Sequence, residues 1–376
     1  GQVVILLLIQ VGGLGIITAT TFYTMLLGKR IGLRERIILK EALNRDTLGG
    51  VVRLVRSILI VTLIVEGSGA VILFLRFIKY FPPLKALWYG AFHAISAFCN
   101  AGFDLLGQDY YAYSSLIPFQ QDKLVLLTIA GLIVVGGLGF TVILDVFKRK
   151  SFSRLSLHSK LALVSTATLV ISGLVLFFFT EGNTSWNGLG LADRLVNSLF
   201  LSVTPRTAGY TSVDLTRVVP GTMLIIMFLM FVGASPAGTG GGIKTTTFAI
   251  LCLAARSRLR ARGDLVIYGR QVDQDTIYRA LTVTVLALGT VFTCIVLLSL
   301  IDNHDLVSLA FEAVSAFGTV GLSTGITPDL TTGAKIILIF LMFFGRLGPL
   351  TLAFALLERN ARKDNIRYPR GNVIIG

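Results

Sequence analysis

Apolar stretches long enough to cross a bilayer recur along the whole of this 376-residue chain, at 2–27, 57–78, 123–147, 159–180, 220–255, 279–301 and 333–357. A span needs about 20 mostly apolar residues. In hydrocarbon every backbone N–H and C=O must find a partner within the protein, so these stretches are expected to be helices. Three shorter apolar pieces, 88–99, 192–204 and 306–317, cannot span, and each ends at glycine-rich or polar residues. They read as re-entrant half-helices, whose irregular ends are tolerated only where they line a protein cavity. Composition agrees: 54% of residues are hydrophobic and 14% charged, against about 25% charged in a soluble domain. A disordered chain and an ordinary cytosolic enzyme are both excluded.

Charge supplies the orientation. The formal net charge is +14, and segments 29–56, 148–160, 256–279 and 359–370 carry eight, five, six and five Lys/Arg. Each basic run adjoins a span, so the excess marks those segments as cytoplasmic rather than as a nucleic-acid surface. Asp104, Asp109, Glu181 and Asp302 lie on the opposite side, near the half-helices, which therefore enter from outside. The three cysteines (Cys99, Cys252, Cys294) and three histidines (His93, His158, His304) are scattered, with neither a disulfide framework nor a metal-site spacing.

An internal repeat organises the rest. Val11-Gly12-Gly13-Leu14-Gly15 resembles Val135-Gly136-Gly137-Leu138-Gly139, with later counterparts in Phe231-Val232-Gly233-Ala234 and Phe344-Gly345-Arg346-Leu347-Gly348. The half-helices repeat in step, ending at Gly102, Gly209 and Gly321. The predicted architecture is an all-α polytopic membrane protein with pseudo-fourfold repeats around one central pore. Each repeat comprises an outer helix, a re-entrant pore half-helix with its filter loop, and an inner helix. The divisions are 1–50 (inner helix of a truncated first repeat, and cytoplasmic loop), 51–157, 158–276 and 277–376. Four inner helices against three loops imply that the first loop precedes Gly1.

Loops of this kind around one axis would offer a ring of backbone carbonyls able to replace the hydration shell of an alkali cation. Half-helix C-termini would add about half a negative charge each, and Asp104 and Asp214 follow two of the loops. The third inner helix holds Pro236 and five glycines between Gly233 and Gly242, which no stable helix sustains. It should break mid-membrane and obstruct the path. Ile243 separates Gly242 from Lys244, so this is no phosphate-binding P-loop. Arg346 is expected at the centre of the fourth inner helix, either contacting gate-loop carbonyls or serving as a structural tether, and Lys244 either acts likewise or snorkels toward the cytoplasm. Glu66 is read as an ion-coupling site or a packing hydrogen bond, and Glu312 as a brace for its filter loop.

The repeats resemble the Trk/Ktr/HKT superfamily of potassium transporters. Asn100-Ala101-Gly102, Thr207-Ala208-Gly209 and Thr319-Val320-Gly321 match its degenerate filter triplets, and the 233–247 segment resembles its intramembrane gating loop, in wording nearest the membrane subunits of bacterial Ktr systems. The resemblance implies a gated, channel-like potassium pore in the bacterial cell membrane, with sodium dependence a further implication. Its filter would comprise Cys99, Asn100, Ala101 and Gly102; Arg206, Thr207, Ala208 and Gly209; and Gly318, Thr319, Val320 and Gly321. Its gate would comprise Gly233, Ala234, Ser235, Pro236, Ala237, Gly238, Thr239, Gly240, Gly241 and Gly242, with Lys244 and Arg346. It also implies a homodimer, a cytosolic nucleotide-binding ring of KtrA-type subunits, membrane lipid around it, and no cofactor bound by this chain. Lacking a TVGYG motif, the filter should be less selective than that of a potassium channel. An ion-coupled carrier alternating about the broken helix at 233–243 is the other reading of the residues.

Overall fold

The computed structural model describes residues 1–15, 51–182, 184–261 and 264–348. Most of the basic segment 29–56, the basic segment 359–370 and the tail Asn372 to Gly376 lie outside the described residues. Among these residues the chain forms α1 (Gln2–Leu14), α2 (Val51–Phe77), α3 (Pro83–Phe98), α4 (Lys123–Leu138), α5 (Phe140–Arg149) and α6 (Leu157–Thr180). It continues with α7 (Leu191–Val203), α8 (Pro220–Phe231), α9 (Thr245–Leu259), α10 (Gln274–Ile301), α11 (Leu306–Gly318) and α12 (Thr332–Leu347). By length and composition α2, α6 and α10 can each cross a membrane alone, and α4 with α5 pass that test as a bent pair. The fold is that of a helical, multi-pass membrane protein.

Helix starts follow local chemistry. Asp122, Ser156, Asp305 and Thr331 accept hydrogen bonds from the N–H three residues on, and Pro83 and Pro220 open α3 and α8, where a missing N–H costs nothing. Each short helix packs against the long helix before it. Gly90 lets α3 approach α2 until a β-carbon there would lie 2.9 Å from the Phe74 nitrogen. The Ser202 hydroxyl of α7 donates to Val170 O of α6 at 2.8 Å.

The 123–147 stretch departs from the sequence expectation of one continuous helix. It breaks at Gly139, and α5 turns 94° from α4. Gly139 has φ 88° and ψ 140°, a conformation that ends a helix and that side chains resist. The basic 256–279 segment also holds an unforeseen hairpin, Val266–Ile267 paired antiparallel with Arg270–Gln271. Leu265 and Ile267 bury against Leu161 of α6.

Acidic clamps tie outer to inner helices at the end opposite the hairpin. Glu181 follows α6 and accepts from Val219 N at 3.0 Å, just ahead of α8. Asp302 follows α10 and accepts from Thr331 N at 3.0 Å and its hydroxyl at 2.9 Å, just ahead of α12. The earlier repeat reverses the polarity: Asp122 caps α4 and accepts from Arg76 Nε at 2.6 Å and Tyr80 OH at 3.0 Å, both near the end of α2. Burial alone would raise Glu181, but hydrogen bonds from Ser185, Thr184, Thr222 and Val219 hold its carboxyl below the ordinary 4.5. The Thr331 backbone N–H, above all, holds Asp302 below 3.8.

A depressed carboxylate stabilises the fold fully above its ordinary value and loses that contribution as pH falls through its folded-state value. The thermal midpoint in detergent should therefore hold from neutral pH down to about 5 and fall below about 4, and the Glu181→Gln/Asp302→Asn double variant should flatten that acid limb. Gly345 tests the packing. A β-carbon there would sit 2.7 Å from the Phe317 carbonyl carbon, whereas Gly289 on exposed α10 has nothing within 4 Å. Gly345→Ala should destabilise by about 1–3 kcal/mol, while Gly289→Ala should leave the midpoint unchanged or raised.

Candidate functional site

Each of the three short helices α3, α7 and α11 ends in a loop with the same backbone signature. Asn100 (φ 52°), Thr207 (φ 72°) and Thr319 (φ 52°) are left-handed, and so are Gly102 (φ 73°), Gly209 (φ 83°) and Gly321 (φ 90°) two residues later. Ala101, Ala208 and Val320 between them are not. The same alternation thus recurs at equivalent positions of all three loops. Among the described residues, no hydrogen-bond donor reaches the carbonyls of 100–102, 207–209 or 319–321.

These loops meet. A β-carbon on Gly102 would collide with Ala208 O, one on Gly209 would collide with Val320 O, and one on Gly321 would lie 3.9 Å from the Gly209 Cα. The Asn100 side-chain amide lies 3.1 Å from the Thr207 hydroxyl, and Tyr210 OH donates to Phe103 O at 2.9 Å. The first residue of each quartet points elsewhere. The Cys99 thiol lies 3.8 Å from Glu66, and the Arg206 guanidinium donates to Thr166 of α6 at 3.3 and 3.4 Å. Gly318 packs where a β-carbon would meet Met230 O at 2.6 Å.

Braces behind the loops show how chemically different residues fill equivalent places. Glu312 accepts from Ser323 Oγ at 2.5 Å, Thr327 Oγ1 at 2.8 Å and Thr324 N at 3.1 Å. His93 occupies the same place in α3, and its Nε2 faces the N–H of Leu105, the counterpart of Thr324, at 3.5 Å. Sequence reading found the glutamate and left the histidine without a role. The half-helix alignment itself, which sets His93 opposite Glu312, was the signal available.

Beneath the loops α1, α4 and α12 each end one residue before a glycine. Gly15, Gly139 and Gly348 share nearly one conformation, φ 83–88° and ψ 135–140°, and Pro236 holds the aligned place in the third inner helix. There the chain leaves helix after Phe231 and regains it at Thr245, with Val232 bridged to Ile243. The intervening segment borrows backbone partners from the broken α4–α5 helix. Ser235 N donates to Gly137 O at 2.9 Å, Thr239 N to Gly136 O at 3.3 Å, and Phe140 N to Ala237 O at 3.1 Å. The Thr239 hydroxyl reaches Phe98 O at 3.2 Å. A β-carbon on Gly240 would strike the Thr207 hydroxyl, and one on Gly241 the Thr319 hydroxyl. The segment thus lies directly under two of the three glycine loops.

Arg346 is not at a helix centre, as sequence reading placed it. It precedes the Gly348 break by two residues, because the left-handed glycine ends α12 at Leu347. Its guanidinium donates to Thr239 O and, at 2.7 Å, to Gly12 O of α1. Lys244 Nζ donates to Gly240 O at 2.8 Å. Glu66, buried in α2, accepts from Gln10 of α1 at 3.2 Å. Asp214 is taken up by Thr216 N at 3.0 Å and Arg217 at 3.2 Å, and Asp104 by Leu106 N at 2.9 Å. Among the described residues no group of three His, Cys, Asp or Glu gathers in metal-ligand geometry. The oxygen donors that converge here are main-chain carbonyls.

Comparison with known proteins follows the same lines. The family profile described as "TrkH: Cation transport protein" matches residues 1–363. Over its full length the chain is 42% identical to the Ktr system potassium uptake protein B of Bacillus subtilis and 39% identical to the potassium/sodium uptake protein NtpJ of Enterococcus hirae, covering 83% of each. It is 37% identical to the Ktr system potassium uptake protein B of Vibrio alginolyticus, covering 82% of that protein. The crystal structure of the potassium transporter TrkH from Vibrio parahaemolyticus shares the fold, with a TM-score of 0.71 at 17% identity, over 93% of this chain and 70% of that one. The chain therefore belongs to the TrkH family of cation transport proteins, is similar to the Ktr branch within it, and is not an enzyme.

Proposed function

We propose that this chain is the potassium-translocating subunit of a bacterial Ktr-type uptake system, acting as a gated, channel-like pore in the plasma membrane. One observation carries the reading. Three loops repeat an alternating left-handed backbone and abut one another, and their carbonyls lack donors among the described residues. Main-chain oxygens without protein donors, gathered where the loops abut, can replace the hydration shell of a cation shared among them. In this reading the filter is Cys99 to Gly102, Arg206 to Gly209 and Gly318 to Gly321, with main-chain oxygens as ligands. Potassium is the cargo and no resident cofactor is required. Sodium is a second cargo or a regulator, a reading supported by the name of the Enterococcus relative.

The gate in this reading is the 233–242 segment with Lys244 and Arg346. It lies against Thr207 and Thr319, and its shape is held by hydrogen bonds to Gly136, Gly137 and Phe140 and by the Arg346 contact with Thr239 O. Glycines there can adopt other backbone conformations at little cost, so the segment can swing aside. The pore works in a homodimer, each protomer with its own path, and a cytosolic nucleotide-binding ring of KtrA-type subunits sets the gate; the Ktr names of the relatives support a multi-subunit system.

Two measurements test this. Gly321→Ser places a side chain at φ 90°, a strain of about 1–3 kcal/mol, and should raise the potassium concentration for half-maximal uptake by at least about tenfold while membrane abundance is unchanged; uptake like wild type sinks the filter assignment. Deleting 235–241, or Arg346→Gln, should increase passive potassium flux into liposomes, by about tenfold for each 1.4 kcal/mol of closed-state contact removed. Unchanged flux removes the segment from gating, and strict counter-ion coupling would favour a carrier.

A further inference from the structure

Two adjoining cavities lie at the hairpin end of α6, away from the glycine loops. The first, about 630 Å³, runs between α6 and α9 over the hairpin. Its α6 wall extends from Leu161 to Leu169 and its α9 wall includes Phe248, Cys252 and Leu253. Eight residues of helix rise about 12 Å, close to the depth of one leaflet of a ~30 Å hydrocarbon core. Its polar end holds Arg256 and Arg260, with Asp264 beside them. The second cavity, about 600 Å³, contains Lys148, Arg149, Arg154, Lys160 and Arg270. Of these five, only Arg149 has a carboxylate partner among the described residues, Asp145 at 2.7 Å. Tyr268 lines both cavities, and Lys160 Nζ lies 5.2 Å from its ring centre.

An apolar trough at leaflet depth that opens beside five cations matches one kind of molecule. We propose that the two cavities together hold an anionic phospholipid of the cytoplasmic leaflet, with an acyl chain along α6 and α9 and its phosphate among Arg154, Lys160 and Arg270. A soluble phosphate or an acidic protein segment could use the cations but has no use for the trough. The location fits the charge pattern, since both cavities lie on the Lys/Arg-rich side of the chain. Lys160 donates to Ser153 O at 2.9 Å and rests over Phe152 at 5.7 Å as well as Tyr268, which fixes a cation at the mouth of the trough before any lipid arrives.

The test is native mass spectrometry of the full chain in detergent, titrated with phosphatidylglycerol, phosphatidylcholine or inorganic phosphate. The chain should retain one phosphatidylglycerol in preference to phosphatidylcholine by at least about tenfold. Each cation near a headgroup contributes about fivefold, so Arg154→Gln/Lys160→Gln/Arg270→Gln should lower phosphatidylglycerol binding by on the order of 100-fold. The charge-keeping Arg154→Lys/Lys160→Arg/Arg270→Lys variant should restore it, which separates lost charge from misfolding. Cys252→Trp, filling the trough, should abolish retention with the cations intact. Equal binding of the two lipids, or wild-type retention by the glutamine variant, overturns the proposal. Saturable phosphate binding as tight as that of phosphatidylglycerol would instead make this a soluble-anion site, and displacement of the lipid by polyglutamate would make it a protein-docking surface.

Discussion

The central constraint is that a backbone broken inside a membrane must find its partners in another break. Ending α4 at Leu138 leaves the carbonyls of Gly136 and Gly137 without their helical donors. The segment after α8 supplies Thr239 N and Ser235 N to them, and its Ala237 O takes the stranded N–H of Phe140. Neither interruption is satisfied alone. The bend in one inner helix and the irregular stretch in the next form a single device, and a helix-restoring change in either would strand polar groups in the other.

The same exchange explains why the irregular segment can lie directly under the glycine loops. Its N–H groups are bonded sideways to α4, so the loop carbonyls above are not consumed by it. The lack of bulk is what lets the layers come into contact: Gly240 and Gly241 have no side chain where the Thr207 and Thr319 hydroxyls come down. Arg346 then joins this layer to α1 through Gly12 O, so one guanidinium touches the segment and the first inner helix together. An arginine near a membrane interior is costly unless its donors are filled, and carbonyls freed by helix breaks are the acceptors that fill them.

Much of this was legible from the amino-acid order because repetition separates signal from packing. A glycine such as Gly102 means little alone, but Gly102, Gly209 and Gly321, each ending a short apolar piece, identify themselves, and the structure draws the three together. The outer helices were equally readable, being long and apolar. The bend at Gly139 was hidden because Val-Gly-Gly-Leu-Gly-Phe is apolar throughout, so hydropathy runs straight across it. Gly15, Gly139 and Gly348 were already aligned; extending the third motif to Pro236, a helix breaker at the same place, was the signal left unread. His93 was missed for a different reason: it does the work of Glu312 with another functional group. Of the clamps, Glu181 and Asp302 were noted only as charges on the outer side and Asp122 was not noted at all, since their partners are backbone amides and, at Asp122, the distant Arg76 and Tyr80.

Because all three glycine loops are written into one polypeptide, no two abutting loops need be identical. Asn100 meets Thr207, an amide against a hydroxyl, where copies of one subunit would carry the same residue at these equivalent positions. Likewise the stretch after α8 is irregular from Val232 to Lys244, while α4 and α5 only bend about Gly139. Asymmetry of this kind lets natural selection alter one loop without rewriting the others, a freedom that an assembly of identical chains does not possess.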